Sequence, residues 1–371
     1  MTITFLLPCY AWTASGGHRA VYEWANGLVA RGHQVAVVHP RYLASSPLPP
    51  PPNLYRWARR RGWQLRHWLL RPSLDWQPVD RRVKLLYVAD FAPRHIPDGD
   101  AVFATGWQTA EDTAQLPASK GVKFYLIQSY ETWGGPEQQV RRTWMLPLNK
   151  VVIARWLQEK ASKFGETATL INCGVNLHSF RLINPIENRD PFSVAMMYHT
   201  ISLKGSLDGL EALTRVRRLH PRLRVTLFGT PRRNAGIPSW VTYVQNPKPE
   251  QLVAIYNAAS IFVQPSWTEG WPLPGSESMA CGCALATTAC GGAVDYTEHE
   301  VSGLVSPPKD PEQLAENILR LVDDSHLRIG VAREGHRRIQ EYTWDRAADL
   351  LEEHIRKVTE QAHASQFENE A

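Results

Sequence analysis

The chain alternates short apolar runs with amphipathic stretches, and this order of elements restricts its fold more than any other feature. The apolar run from Ile3 to Leu7 is followed by the loop Thr13-Ala-Ser-Gly-Gly-His18. Apolar residues then recur at helical spacing as far as Val29, and Gly32 is expected to end that helix. Gln34 to His39 is a second run typical of a buried strand. Strand, glycine-containing loop, helix and strand in this order predict the start of a parallel α/β sheet.

The alternation continues and predicts two domains, at residues 1–180 and 190–343. The polar segment Leu182–Pro191, with two prolines, is expected to be the linker between them. A C-terminal helix, at about residues 344–360, is expected to pack back on the first domain. Further strands of the first domain are predicted at Val83–Val88, Ala101–Ala104, Lys123–Ile127, Val151–Ile153 and Leu170–Asn176. The second domain is predicted to contain strands at Ser193–Met197, Arg224–Phe228, Ile261–Gln264 and Leu285–Thr287, with helices at Leu207–Leu219, Pro249–Ala258, Glu277–Cys281 and Pro311–Val322.

Length and composition fit a folded, two-domain protein. The 371 residues are 43% hydrophobic and 21% charged, which argues against a disordered or fibrous chain. A net charge of +5 is far below that of a dedicated nucleic-acid binder, so no nucleic-acid partner is expected. The N-terminus lacks the features of a signal peptide, and no run of 18 apolar residues occurs. A cytoplasmic protein is therefore expected.

The five cysteines do not predict a metal site. Cys281, Cys283 and Cys290 lie close together, but a C-x-C pair followed by a third cysteine lacks the usual zinc spacing. Buried cytosolic thiols are the favoured interpretation.

The segment Glu269-Gly-Trp-Pro-Leu-Pro-Gly-Ser-Glu277 is the main candidate for a binding site. It joins a predicted strand to a helix expected to start near Ser276, and such turns lie at the carboxyl ends of the strands, where ligands bind. Pro272 and Pro274 prevent ordinary backbone pairing here. The N–H groups of Gly270, Trp271 and Leu273 are thus free to bind an anion near a helix N-terminus, which predicts a phosphate cradle.

Two glutamates eight positions apart span this turn. Beside a phosphate cradle, the carboxylates of Glu269 and Glu277 suit sugar hydroxyls better than they suit phosphate. Spacing alone leaves the alternative open that Glu277 caps a helix and that Glu269 is a solvated loop residue.

Lys204 and the pair Gly16 and Gly17 are the other candidates from the residues themselves. Lys204 precedes Gly205 at the start of a predicted helix and would offset the charge of a leaving diphosphate, unless it is a solvated surface lysine. Gly16 and Gly17 lie in the first strand-to-helix turn, where the absence of a Cβ atom allows close approach of a ligand. A simple tight turn is the alternative there.

These motifs resemble those of the retaining GT-B glycosyltransferases of family 4, also called glycosyl transferases group 1. The resemblance rests on the E-x7-E motif from Glu269 to Glu277, its lead-in from Pro265, the stretch Met279-Ala-Cys-Gly-Cys-Ala-Leu-Ala, and Gly291-Gly-Ala-Val-Asp295. It covers nearly the whole chain and implies two Rossmann-like domains facing each other across a cleft. It also implies that Glu277 bonds the nucleotide ribose, that Glu269 meets the donor sugar, and that the backbone of Trp271, Pro272 and Leu273 faces the diphosphate.

The resemblance extends to further site residues. The Gly16-Gly17 loop matches the family's Gly-Gly loop, which places His18 within reach of the transferred sugar or acceptor. Gly229, at the end of a predicted strand, is assigned to the donor site as well. The stretches Tyr198-His199 and Thr105-Gly-Trp-Gln-Thr109 resemble those of bacterial rhamnosyltransferase-like members.

Two departures from the family pattern affect the predicted chemistry. The family usually has an arginine six residues before the lysine, where this chain has Tyr198, so Tyr198 or His199 is expected to supply hydrogen bonds instead. The strand that in many relatives ends in a histidine or aspartate is followed here by Gln128-Ser-Tyr-Glu131. Glu131 is a candidate there, but no base or nucleophile is assigned.

The resemblance implies sugar transfer with retention from a UDP-, GDP- or dTDP-linked donor to a glycan or lipid-linked acceptor. No cofactor is expected beyond the nucleotide sugar. No essential metal is expected either, because no D-x-D motif occurs where the inverting, metal-dependent class needs one. Two alternatives stay open: a sugar phosphorylase or nucleotide-sugar epimerase of the same fold, and a non-catalytic protein that binds sugars at a membrane surface.

The segment from Leu54 to Arg71 is unusually rich in tryptophan and arginine. On a helical wheel its apolar residues, among them Trp57 and Trp68, share one face, and its arginines share the other. This pattern suits contact with an anionic membrane surface, which would make the protein peripheral on the inner face of the cell membrane. An ordinary surface helix, or an acidic or nucleic-acid partner, would give the same pattern.

Overall fold

Two parallel sheets, each with helices connecting its strands, make up the fold in this computed structural model. The structure describes residues 1–10, 15–41, 43, 74 and 76–370. The Trp/Arg-rich segment from Leu54 to Arg71 lies outside the described residues. Thr13 and Ala14 of the first loop also lie outside them.

The first sheet has seven strands in the order β3-β2-β1-β4-β5-β6-β7. Its pairs from β3 through β5 are parallel, with Ile3 opposite Val35 on one side and Ala101 on the other. Its strands are β1 (Thr2–Leu6), β2 (Gln34–Pro40), β3 (Lys84–Val88), β4 (Ala101–Ala104), β5 (Val122–Ile127), β6 (Asn149–Val152) and β7 (Ala168–Leu170). The helices along this part of the chain are α1 (Gly16–Ala30), α2 (Trp107–Gln115), α3 (Glu137–Trp144) and α4 (Arg155–Lys163), with short 3-10 turns at Pro93–His95 and Ala118–Lys120.

The second sheet has six parallel strands in the order β10-β9-β8-β11-β12-β13. They are β8 (Ser193–Met197), β9 (Arg224–Gly229), β10 (Thr242–Gln245), β11 (Ile261–Gln264), β12 (Ala284–Thr288) and β13 (Leu304–Ser306). The helices are α5 (Ser206–Leu219), α6 (Pro249–Ala258), α7 (Leu273–Ala280), α8 (Ala293–Tyr296), α9 (Pro311–Asp323), α10 (Ser325–Ile339) and α11 (Trp344–Glu370), with 3-10 turns at Ile186–Asn188 and Ser202–Lys204.

The chain divides into two compact units. The first comprises Met1–Ile127, Glu131–Lys150 and Glu352–Ala371, and the second comprises Gln128–Tyr130 and Val151–Leu351. Apolar side chains of β8, β9, β11 and their flanking helices form the core of the second unit, including the fully buried Met196, Leu227 and Val263. In both sheets the strand order reverses beside the first strand, as in Rossmann folds, and this reversal opens a crevice at the carboxyl ends of the strands.

Several predicted elements have different bounds in the structure, among them the strand after α4 and the helix after β11. β7 ends at Leu170, so the predicted strand Leu170–Asn176 is wrong; beyond Leu170 the backbone makes only an isolated bridge between Val175 and Thr343. Helix α7 begins at Leu273 instead of near Ser276, because proline fits the first helical turn, which needs no N–H donors.

Candidate active site

The site lies at the strand-order reversal of the second sheet, between β8 and β11. The segment after β8 carries Tyr198, His199 and Lys204, and the segment after β11 carries Glu269. Adjacent strands at such a reversal send their connections to opposite faces of the sheet, which leaves a crevice between the two segments. The fold therefore brings together residues that are 65 positions apart in the sequence.

Lys204 is held in place by the backbone on both sides of it. It ends the 3-10 turn Ser202–Lys204, and the next residue, Gly205, has a φ of 59°, in the left-handed region. A Cβ atom at Gly205 would lie 1.9 Å from the carbonyl oxygen of Pro265, so only glycine fits. The backbone N–H of Trp267 donates to the carbonyl of Leu203 at 2.8 Å. These contacts fix the lysine against the segment that carries Glu269.

Glu269 binds Lys204 through both carboxylate oxygens. The Lys204 Nζ atom lies 2.8 Å from Oε1 and 2.8 Å from Oε2. The hydroxyl of Ser266 also donates to Oε1 at 2.8 Å, and the amide of Gln264 donates to Ser266 at 2.6 Å. Only 9% of Glu269 is exposed. A mostly buried carboxylate with these donors is oriented rigidly, as a site for sugar hydroxyls requires.

The backbone of Glu269 is anchored by three further hydrogen bonds. Its N–H donates to Cys290 at 2.6 Å, and its carbonyl accepts from the Gly292 N–H at 3.1 Å and from the Trp156 indole at 2.9 Å. A Cβ atom at Gly292 would lie 1.8 Å from the Gly270 carbonyl, so the close approach of these two backbones requires glycine. This explains in physical terms why the segment Gly291-Gly-Ala-Val-Asp295 contains a glycine pair.

The backbone after Glu269 is where the sequence predicts a phosphate cradle, and the binding of phosphate there stays a prediction. Within the described part of the chain, the N–H groups of Gly270, Trp271 and Leu273 donate to no acceptor, although all three residues are buried. Leu273 opens helix α7, whose N-terminal end carries partial positive charge. Buried backbone donors without partners are rare in folded proteins, so this group of three favours an anionic ligand.

Trp271 and Pro272 are anchored by contacts with two tyrosines. The Trp271 indole packs against Tyr296 and Tyr342, with ring centroids 5.0 and 5.2 Å apart, and is 6% exposed. The carbonyl of Pro272 accepts a hydrogen bond from the Tyr296 hydroxyl at 3.1 Å. Side-chain packing thus holds the backbone of the cradle in place.

Glu277 lies inside helix α7 and is not a helix cap. It is the fifth residue of the helix, 2% exposed, and its Oε2 atom accepts from the Tyr256 hydroxyl at 3.2 Å. Because the helix begins at Leu273, the alternative of a capping carboxylate is excluded. Its predicted contact with the ribose stays a prediction.

Tyr198 and His199 occupy different environments. The Tyr198 hydroxyl accepts from the side-chain amide of Asn234 at 2.9 Å, and the residue is 4% exposed. A Cβ atom at Gly229 would lie 2.1 Å from the Tyr198 carbonyl, so this end of β9 packs directly against the end of β8. Tyr198 therefore stabilises the loop after β9.

The His199 ring is half-buried, and its tautomer is fixed. Its Nδ1 atom accepts the Ile201 N–H at 3.0 Å, so the ring proton lies on Nε2. Burial, and secondarily the positive charge of Lys204, lower the pKa of His199. His199 is thus a neutral Nε2–H donor near neutral pH, and it is better suited than Tyr198 to the expected hydrogen bond.

In the first unit, Gly16 and Gly17 form the exposed start of α1. A Cβ atom at Gly16 would meet nothing within 4 Å, so no described neighbour requires glycine there. His18 is 7% exposed; its Nε2 atom lies 2.8 Å from the Cys9 carbonyl, and its Nδ1 atom lies 3.2 Å from the Ser15 hydroxyl. Both ring nitrogens thus bind the β1–α1 loop, and a contact of His18 with sugar or acceptor stays a prediction.

Glu131 is a titratable group of the first unit whose pKa is raised into the neutral range. Its Oε2 atom accepts the backbone N–H of Trp107, the first residue of α2, at 3.0 Å. Burial raises the pKa of Glu131 to about 7, although the hydrogen bond from Trp107 opposes the shift. This carboxyl group can therefore exchange a proton near neutral pH.

The cysteines are all unpaired thiols. Cys173, Cys281, Cys283 and Cys290 are buried, as expected, but Cys9 is exposed. Burial raises the pKa of the Cys283 thiol to about 12, so this thiol is protonated and unreactive at neutral pH.

The sequence of the second unit matches a known family. Residues 184–342 match the family model described as glycosyl transferases group 1. The matched part of the chain contains Lys204, Glu269 and Glu277. The match confirms the predicted resemblance to this family.

Curated relatives of the chain are glycosyltransferases. The chain is 28% identical to a D-inositol 3-phosphate glycosyltransferase of Thermobispora bispora over 255 residues, which cover 62% of this chain and 59% of that protein. It is 32% identical to the protein of the same name from Salinispora tropica over 176 residues, which cover 47% of this chain and 34% of that protein. The chain thus spans about three fifths or less of these relatives' length.

Solved structures share the fold over almost the whole chain. Sucrose-phosphate synthase from Thermosynechococcus elongatus aligns over 96% of this chain and 98% of its own, with a TM-score of 0.69 and 18% identity. Anabaena HepE in complex with UDP aligns over 96% and 100%, with a TM-score of 0.71 and 14% identity. Together with the two parallel sheets, this likeness confirms the predicted α/β fold of GT-B type.

No described helix combines the length and the apolar character that a membrane span requires.

Proposed function

We propose that the protein transfers a sugar, with retention at the anomeric carbon, from a nucleoside-diphosphate donor to a glycan or lipid-linked acceptor. The observation that carries this proposal is the combination of the Lys204–Glu269 ion pair with three backbone N–H groups after Glu269 that donate to no acceptor among the described residues. A cation beside an anion cradle suits a diphosphate, and an oriented carboxylate suits sugar hydroxyls. The curated relatives are glycosyltransferases, and the HepE structure contains UDP, which supports the same substrate class.

The donor site would work mainly by stabilising the leaving group. As the bond between the anomeric carbon and the diphosphate oxygen breaks, negative charge grows on the diphosphate. Lys204, the N–H groups of the cradle and the Nε2–H of His199 would offset that charge. The acceptor oxygen would bond to the anomeric carbon on the same face, and its proton would pass to a diphosphate oxygen. This route needs no protein base.

We further propose that transfer needs no metal ion. The sequence Asp98-Gly-Asp100 has the D-x-D form, but it precedes β4, at the edge of the sheet opposite to the strand ends that bind ligands. Asp98 binds Lys120 at 2.7 Å, and Asp100 accepts the Thr2 N–H at 2.7 Å. Transfer should therefore persist in excess chelator, and loss of transfer that manganese restores would refute this part of the proposal.

Thermal-shift screening with UDP-glucose, GDP-mannose and dTDP-rhamnose, followed by transfer assays, tests the function. The donor that raises the melting temperature should be consumed only when an acceptor glycan is present, and NMR of the product should show the donor's anomeric configuration. Turnover with inorganic phosphate in place of an acceptor would identify a phosphorylase. Isomerisation of the donor alone would identify an epimerase.

Two lysine-to-alanine variants, one in the proposed donor site and one outside it, test where the donor site lies. Lys204→Ala should reduce transfer by about 100-fold or more, because a charge-stabilising group is lost. Lys163→Ala, at the exposed end of α4, removes the same charge from the same unit and should leave transfer unchanged. Equal activity of the two variants would mean that the donor site lies elsewhere.

We also propose membrane contact through the segment from Leu54 to Arg71, on the strength of its sequence pattern alone. The protein should float with vesicles that contain anionic phosphatidylglycerol and not with vesicles of phosphatidylcholine. Replacing Arg56, Arg59 and Arg60 with glutamine should abolish flotation. Flotation that is unaffected by these replacements would contradict the proposal.

A further inference from the structure

The Lys204–Glu269 pair has a consequence for ligand selection that goes beyond holding the donor. In the structure, the ammonium group of Lys204, which we propose binds the diphosphate, already binds both carboxylate oxygens of Glu269, at 2.8 Å each. The pair carries no net charge, and His199 beside it is neutral. A diphosphate that enters the site therefore meets the backbone N–H groups after Glu269 and a lysine whose positive charge is already balanced by Glu269.

We infer that Glu269 makes the site discriminate between an intact nucleotide sugar and a free nucleoside diphosphate. This inference rests on the proposed function. When the phosphates of a free nucleoside diphosphate bind Lys204, Glu269 loses its cationic partner and lies beside the negatively charged diphosphate. When the phosphates of a nucleotide sugar bind Lys204, the sugar hydroxyls donate to Glu269 in place of the lysine.

The cost of leaving Glu269 unpaired is large because of its surroundings. Only 9% of the residue is exposed, so water solvates the carboxylate poorly. Its remaining donor in the described structure is the Ser266 hydroxyl, 2.8 Å from Oε1, which is neutral. Removing one partner from a buried ion pair costs free energy because the other charge is left uncompensated. Hydroxyl groups of a bound sugar remove that cost, and a free diphosphate does not.

The contacts of Glu269 also hold its carboxylate in the site. Its backbone is tied to Cys290, Gly292 and the Trp156 indole, and the Ser266 hydroxyl donates to the carboxylate itself. Because these contacts oppose movement of the carboxylate into solvent, its interaction with the ligand contributes to the ligand's affinity. The same constraint would favour release of the nucleoside diphosphate after transfer, since Glu269 then regains Lys204.

Calorimetric titration of the full chain with matched ligand pairs tests this inference. The pairs are UDP with UDP-glucose, GDP with GDP-mannose, and dTDP with dTDP-rhamnose; the pair that the wild type binds is used. In Glu269→Gln, the free nucleoside diphosphate should bind about fivefold tighter or more than in the wild type, because the competing charge is gone. The nucleotide sugar should gain less or lose affinity, so the preference for it should shrink.

Glu277→Gln is the control, since it makes the same chemical change eight residues away. If Glu277 contacts the ribose, which both ligands share, this variant should weaken both by a similar factor and keep the preference. Unchanged affinity of Glu269→Gln for the nucleoside diphosphate would overturn the inference while leaving the proposed function intact. If the wild type binds none of the nucleotide sugars, the proposed function fails and the inference fails with it.

A second measurement does not depend on the fold of a variant. Crystal structures of the wild type with the free nucleoside diphosphate and with the nucleotide sugar should differ at the pair. With the nucleotide sugar, Lys204 should bind phosphate and a sugar hydroxyl should bind Glu269. Persistence of the bidentate Lys204–Glu269 pair in the nucleotide-sugar complex, with no phosphate on Lys204, would overturn the inference.

Discussion

Gly205 shows how a single backbone position controls the site. Its φ of 59° is unfavourable for other residues, and a Cβ atom would lie 1.9 Å from the Pro265 carbonyl. Gly205→Ala should therefore lower the free energy of unfolding by about 2 kcal/mol or more. It should also weaken binding of the nucleotide sugar, because Lys204 must move when the two segments separate. Chemical denaturation and calorimetric titration measure the two effects.

Gly330 provides the matched control. It lies within helix α10, and a Cβ atom there would meet nothing within 4 Å. Gly330→Ala should stabilise the protein by up to about 1 kcal/mol, since alanine is the better helix former, and should leave donor binding unchanged. If Gly205→Ala were as stable as Gly330→Ala, the close approach of Gly205 to Pro265 would be disproved.

The raised pKa of Glu131 predicts that the free energy of unfolding depends on pH. Burial raises the pKa of Glu131 from 4.5 to about 7 in the folded protein. Between pH 4.5 and pH 7 the carboxyl group is therefore mainly protonated in the folded state and mainly ionised in the unfolded state. Its contribution to stability is complete below pH 4.5 and is lost as the pH rises through about 7. Between pH 5 and pH 8 the wild type should lose roughly 3 kcal/mol or less from this group.

The variant Glu131→Gln isolates that contribution, because glutamine does not titrate. Urea denaturation at pH 5 and pH 8 should show a smaller decrease in the free energy of unfolding for Glu131→Gln than for the wild type. Glu137→Gln makes the same chemical change at an exposed position in the first turn of α3 and serves as the comparison. Identical pH profiles of the wild type and Glu131→Gln would show that Glu131 is ionised well below pH 7.

At the scale of elements, Trp267 joins the two segments of the donor site. Its indole donates to the carboxylate of Asp208 in helix α5 at 2.6 Å, and Lys309 lies over its ring, 4.5 Å from the centroid. Trp267→Phe removes the hydrogen bond to a charged group, which is worth about 1.5–3 kcal/mol. Because Trp267 positions Lys204 through the backbone of Leu203, KM for the nucleotide sugar should rise about tenfold and kcat should change less.

Trp240→Phe is a suitable comparison, since Trp240 is a half-buried indole of the same unit that packs with Arg217 away from the Trp267 contacts. Steady-state kinetics should show a normal KM for this variant. Asp208→Asn should partly reproduce the effect of Trp267→Phe, because it weakens the same hydrogen bond. A loss confined to kcat in Trp267→Phe would contradict a positioning role.

Elements with a strong local pattern were predictable, and those defined by tertiary contacts were not. β8 and β11 are short runs that are apolar apart from Ser193 and Gln264, so the sequence indicated them correctly. β10 is a half-exposed edge strand, and helix α10 is rich in polar residues, so neither has a clear apolar period. The predicted start of α7 lies too late in the sequence. Pro272 and Pro274 are typical of a loop, but proline is also favoured in the first turn of a helix.

The same distinction applies to the site. The motif around Glu269 and the Lys-Gly pair at Lys204 were recognisable, but their ion pair joins segments 65 positions apart and depends on the strand order of the sheet. Ser266 lies in the recognised lead-in, yet its bond to Glu269 could not be inferred from spacing. The tautomer of His199 likewise depends on one backbone N–H, that of Ile201.

For the whole molecule, the division into two units predicts where a nucleotide sugar changes backbone protection. Both the lysine and the cradle belong to the second unit, at Val151–Leu351. At a concentration of 100 times Kd, the nucleotide sugar should stabilise the protein by about 2.7 kcal/mol. The largest local effect should fall on the backbone after Glu269, because the N–H groups of Gly270, Trp271 and Leu273 donate to no described acceptor until a ligand binds.

Hydrogen exchange followed by mass spectrometry tests this on the intact chain. Peptides covering residues 266–280 should exchange more slowly with the nucleotide sugar, and the variant Lys204→Ala should lose most of this protection at the same ligand concentration. Peptides of helix α9, which packs mainly on helix α5, should change little apart from any global stabilisation. Slower exchange in the first unit without any change at residues 266–280 would place the nucleotide in the wrong unit for a group 1 donor site. It would thereby contradict the roles proposed for Lys204 and Glu269 together.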